Sequence, residues 1–106
     1  MMQMLIAAGL RLAETLRDEN EALATLDFSR AAQLAAAKIQ AAEGFAAAQI
    51  ACQKANMAFD QAEREVAARL TEAIEGLARE NRVALERAIA LQSRVIETIA
   101  GAANHA

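Results

Sequence analysis

The chain has 106 residues, a formal net charge of −3, thirty alanines, three aromatic side chains (all Phe) and no proline. Sandwiches and barrels need β-branched strands and regular turn residues, so this composition excludes them, along with collagen and Pro- or Gly-rich disorder. Ala, Leu, Glu, Arg and Gln are strong helix formers. The absence of a basic stripe argues against a nucleic-acid binder.

The apolar opening Met1–Leu10 lacks a basic flank and runs into Arg11 and Glu14, which makes it a poor signal peptide. No uncharged run approaches the ~20 residues of a membrane span. With a single cysteine, Cys52, no intrachain disulfide can form, and a small buried apolar residue is expected there. These features fit a cytoplasmic protein.

The first apolar stripe is Leu5, Gly9, Leu12, Leu16, Glu19, Leu23 and Leu26, in alternating steps of four and three. Gly9 and Glu19 are its imperfect members. The spacing predicts an amphipathic helix with a coiled-coil-like seam over about residues 4–26. The rhythm breaks at Leu26-Asp27-Phe28-Ser29, where Asp27 or Ser29 suits a helix N-cap.

A second, Ala-rich helix is predicted over about residues 28–56. Leu34, Lys38, Ala41, Phe45, Ala48, Cys52, Ala55 and Phe59 keep the four-three spacing. Small residues on such a seam allow close helix packing. Lys38 is expected to snorkel, its stem along the seam and its ammonium in water. Gly44 is a tolerated glycine or a kink.

A second break is expected near Asn56–Asp60. Asp60 and Glu63 have capping-box spacing, and Asp60, Glu63 and Glu65 crowd the first turns, where the helix dipole favours acids. A third helix is predicted over about residues 60–101, interrupted if anywhere at Gly76.

Leu70, Ile74, Leu77, Asn81, Leu85, Ala88, Ile89, Leu91, Gln92, Val95, Ile96 and Ile99 occupy an arc of about 160° on a wheel of 100° per residue. Glu75, Arg79, Arg82, Glu86, Arg87, Arg94 and Glu97 lie opposite. So wide an arc needs more than one neighbour. The first two helices are shorter, so the end of the third is expected to overhang them and offer apolar surface to a partner or a second copy. Asn81 and Gln92, both inside the stripe, are either partly exposed polar positions or register-setting contacts to a partner helix.

The fold expected is all-α: an antiparallel three-helix bundle, or helical hairpin, with a long C-terminal helix in one domain. No Gly-rich phosphate loop, Cys-x-x-Cys or His-Glu-x-x-His is present, nor the Glu-x-x-His pairs of a bundle metal site. His105 reads as a tail residue. A helical enzyme of the chorismate-mutase type needs cationic groups converging inside the bundle, whereas the arginines here face outward. No catalytic residue, metal or cofactor is expected.

Two stretches carry a family resemblance. One is Leu16-Arg-Asp-Glu-Asn-Glu-Ala-Leu23 with Leu26-Asp27-Phe28 and Lys38. The other is Ala78-Arg-Glu-Asn81-Arg-Val-Ala-Leu85-Glu-Arg-Ala-Ile89. Together they resemble the FlgN type of flagellar export chaperone. That family is helical, with an early Glu-x-x-x-Leu repeat, a short Asp-containing break, a Lys in the next helix and a late Asn followed by Leu. Glu19 with Leu23, Asp27, Lys38, and Asn81 with Leu85 are the equivalents here. The run Arg82–Ala100 also resembles short helical proteins of flagellated alphaproteobacteria.

The resemblance implies a cytoplasmic chaperone that holds the helical terminus of a hook–filament junction protein and delivers it to the export machinery. Leu77, Asn81, Leu85, Ile89, Gln92, Val95, Ile96 and Ile99 are then the candidate partner-binding residues. The apolar members supply area, and Asn81 and Gln92 supply register. The competing expectation is a self-assembling coiled-coil structural or adaptor protein whose third helix pairs with its own copy. A membrane-surface helix is disfavoured, because the polar face mixes acids with Arg.

Overall fold

The computed structural model describes residues 2–56 and 58–105, with only the backbone at residue 105. It consists of three helices: α1 (Met2–Ala24), α2 (Phe28–Lys54) and α3 (Gln61–His105). The chain is all-α, as the composition predicts.

The two breaks have local causes. At the end of α1, Asp27 N donates to Ala22 O and Leu26 N to Leu23 O, which ties off the last carbonyls in a Schellman arrangement. The motif puts Leu26 in the left-handed region at φ 60°. Asp27 then caps α2, its side chain accepting from Arg30 N at 3.1 Å. Before α3, Glu63 N donates to Asp60 Oδ1 at 2.8 Å and Asp60 N to Glu63 Oε1 at 3.1 Å, the reciprocal capping box expected from their spacing. α2 and α3 are separate helices, and both Gly44 and Gly76 lie inside uninterrupted helix.

α1 lies between the other two helices. α2 runs antiparallel to it: Ala31 packs with Ala22 and Leu23 near the first turn, and Ala41 with Leu12 and Leu16 further along. α3 runs parallel to α1. Ile74 and Leu77 pack on Leu12 and Leu16, and Leu85 and Ala88 on Ala22 and Leu23. Gly9 marks the tightest crossing. A Cβ there would sit 2.6 Å from Leu70 Cδ2 and 3.1 Å from Phe45 Cε1, so the missing side chain lets both neighbouring helices reach α1.

Burial follows the four-three stripes with two departures. Leu26, the last predicted member of the α1 stripe, is 57% exposed, because the left-handed turn swings it off the seam. Ala55 is also exposed, at the C-cap beyond the last turn of α2. Cys52 is buried and free. The molecule is 68 Å long and under 20 Å wide. That length is what the 45 residues of α3 span at about 1.5 Å each.

Candidate functional site

Two features stand out: a polar cluster inside the bundle and an apolar ridge beyond it. The cluster takes residues from all three helices. Glu19 of α1 is the largest fully buried side chain. Lys38 Nζ of α2 donates to Glu19 Oε1 at 2.8 Å and to Asn81 Oδ1 at 3.0 Å. Asn81 Nδ2 of α3 donates to Glu19 Oε1 and, at 2.9 Å, to Asn20 Oδ1. Asn20 Nδ2 closes the network on Leu77 O at 3.2 Å. The imperfect positions of three separate stripes thus meet at one level.

This arrangement corrects two expectations. Lys38 does not snorkel: its side chain is 22% exposed and its ammonium turns inward to a carboxylate. Asn81 is 5% exposed, and its amide is committed to Glu19, Asn20 and Lys38. It therefore sets register within the chain and has no free amide to offer a partner. A charge-bearing interior network penalises any slip of one helix against another, because a one-step shift leaves a buried ion unpaired. Glu19 Oε2 has no hydrogen-bond partner and is shut away from the surface.

The other candidate residues divide between core and surface. Leu77 and Leu85 are half-buried against the two core clusters, so their area is largely used inside the fold. Ile89, Val95, Ile96 and Ile99 are exposed, Ile96 at 66%. Gln92 is exposed as well.

These residues lie where α3 leaves the bundle. The α1–α2 turn packs at the level of Ala84–Leu91, and from Gln92 onward α3 continues for about 20 Å at 1.5 Å per residue. Leu85, Ile89, Gln92, Ile96 and Ile99 keep the four-three spacing along this stretch. Arg87, Arg94 and Glu97 are exposed; Arg87 and Arg94 flank the apolar surface, Arg94 beside Leu91, Val95 and Ile99.

The structure adds residues that periodicity did not select. Phe28, at the start of α2, forms a shallow groove with Leu91, Gln92, Val95 and Ile96. Leu26 borders a neighbouring depression with Leu23, Ala88 and Leu91, edged by Arg87 and Arg94. The Schellman turn that orients Leu26 was legible only as a break in the rhythm. The resulting surface is elongated and stepped, apolar along its middle and bordered by Arg87 and Arg94, with the α1–α2 turn as its shoulder.

The described residues contain no group of three or more His, Cys, Asp or Glu placed to hold a metal ion. No described helix is long and apolar enough to cross a membrane. The side chain of His105, expected to be a tail residue, lies outside the described residues. No protein-family model, curated protein or solved structure matches this chain.

Proposed function

We propose that this chain is a non-catalytic, cytoplasmic helix-binding chaperone of the flagellar export kind typified by FlgN. In this reading it takes the helical terminus of a hook–filament junction protein onto the free end of α3. The observation that carries it is the exposed row Val95, Ile96 and Ile99, which projects past the bundle beyond Phe28, with the exposed Ile89 beginning the row at the level of the α1–α2 turn.

A client helix would lay an i, i+3, i+4, i+7 face along this row, with its end against the shoulder at Leu26. Each isoleucine is about two-thirds exposed, and covering it is worth about 1–2 kcal/mol. Gln92 is the one polar member of the row, so it takes the register-setting role that Asn81 cannot. The interior network keeps the rest of the bundle rigid beneath the ridge.

Self-pairing of α3 is the second reading. The four-three spacing of Leu85, Ile89, Gln92, Ile96 and Ile99 is also that of a coiled-coil seam. Light scattering across a hundredfold dilution, with and without the C-terminal helix of a hook–filament junction protein, separates the two. A monomer that forms a defined complex supports the chaperone, provided Ile96→Asp abolishes the complex and Glu97→Ala does not. A tight oligomer that ignores the peptide moves the assignment to a self-assembling protein.

A further inference from the structure

The two borders of the α3 ridge differ in charge. Arg94 edges the depression made with Leu91, Val95 and Ile99, and Arg87 and Arg94 both edge the one beside Leu26. The two arginines stand two turns of helix apart, about 10 Å. At 100° per residue, Glu86 and Glu97 fall on the far border, beyond Ile89 and Ile96.

Both guanidinium groups are uncommitted. Among the described residues, Lys38 and Glu19 form the one salt bridge. Arg87 has no acid three or four residues away in either direction, the distances at which charges pair along a helix. Arg94 has only Glu97 at such a distance, and the two are not paired.

These borders discriminate between occupants. The ridge continues the side of α3 on which α1 packs: Leu85 lies against Ala22 and Leu23, and Ile89, Ile96 and Ile99 carry on its stripe. A second copy laid parallel would run its own α3 into α1, so two free ends can overlap only antiparallel. A two-fold antiparallel pair sets each border against itself, arginine facing arginine and glutamate facing glutamate. Like charges placed so weaken the pair.

We infer that the ridge takes an amphipathic helix of another chain, one that carries two carboxylates two turns apart along one edge of its apolar face, against Arg87 and Arg94. This inference rests on the helix-docking reading above and narrows it to an acid-edged partner. The apolar row supplies the attachment. The arginines select the partner and set which way round it lies, because rim charges act on specificity and association rate more than on raw affinity.

The test uses the full chain and three synthetic helical peptides, with binding followed by fluorescence anisotropy. The peptides share one apolar stripe and a Gln-lined edge, and carry Glu, Gln or Lys at two positions two turns apart on the other edge. At low ionic strength the Glu peptide should bind about tenfold more tightly than the Lys peptide, with the Gln peptide between them. In about 1 M NaCl, where the Debye length is about 3 Å, the three should converge. The chain carrying Arg87→Glu and Arg94→Glu should reverse the order.

An order that survives both substitutions overturns the inference. So do equal affinities at low salt that are lost together in Ile96→Asp, and that outcome leaves helix docking on the ridge standing. Binding of none of the three peptides overturns the inference and the docking reading together.

Discussion

Replacing Asn81 with leucine tests the interior network directly. Asn81→Leu keeps an apolar-compatible shape but removes the donor to Glu19, the donor to Asn20 and the acceptor for Lys38. Asn20 is half-buried, so water can replace its lost partner. Glu19 is wholly buried, with Oε2 already unpaired, and keeps Lys38 alone.

An unmet buried polar group costs about 1–3 kcal/mol, and more when charged, so a loss of about 3 kcal/mol is expected. A domain of this size has about 5–15 kcal/mol in all. The melting midpoint should fall by about 12–24 °C, at about 4–8 °C per kcal/mol. The triple variant Glu19→Leu, Lys38→Met, Asn81→Leu removes the three central members together and leaves only Asn20, half-buried and still bonded to the Leu77 carbonyl. It should return to within about 1 kcal/mol of wild type or exceed it, because apolar replacement of a complete buried network is often neutral or better. Urea unfolding followed by helical circular dichroism reads both. An Asn81→Leu chain as stable as wild type, or a triple variant less stable than the single one, would show that the network does not operate as a unit.

Two further substitutions separate local strain from function. Leu26 occupies a left-handed position that glycine fills without strain, so Leu26→Gly should stabilise the fold by about 1 kcal/mol in urea unfolding. The same change should weaken client binding in a titration, since it removes an exposed leucine from the shoulder of the ridge; unaltered affinity would exclude Leu26 from the surface. Gly44→Ala should also stabilise by about 1 kcal/mol, because a Cβ there meets nothing within 4 Å. Gly9→Ala gains the same helix propensity but forces Leu70 and Phe45 aside, so it should fall at least about 1 kcal/mol short of Gly44→Ala. Equal melting shifts for the two would mean that the crossing at Gly9 is looser than its geometry.

The helices and their ends could be read from the sequence because their signals are local. Asp27, and the pair Asp60 and Glu63, act on backbone groups within three residues. The long stripe of α3 needs only its own periodicity, and its overhang follows from comparing helix lengths. The interior network could not be assembled in this way. Glu19, Lys38 and Asn81 each appear as a polar flaw in a separate stripe, and what joins them is contact across 19, 43 and 62 residues of chain. Taken alone, Lys38 resembled a snorkelling lysine and Asn81 either a partly exposed polar position or a partner contact, since a single stripe does not show which polar residue faces which. Leu26 was misplaced for the opposite reason. The rhythm carried it onto the seam, and only the turn geometry moves it off. Phe28 joins the ridge because the turn sets the start of α2 beside α3, which periodicity within one helix does not record.

The central claim is that a partner helix covers the free end of α3. Methyl resonances of isoleucine offer the most direct reading, because Ile89, Ile96 and Ile99 lie on the ridge, Ile74 lies against the core, and Ile39 and Ile50 are exposed on α2. On adding the C-terminal helix of a hook–filament junction protein, the methyls of Ile89, Ile96 and Ile99 should shift saturably, with those of Ile39 and Ile50 unmoved. Shifts confined to Ile39 and Ile50, or ridge methyls that respond to protein concentration but not to the peptide, would contradict the account.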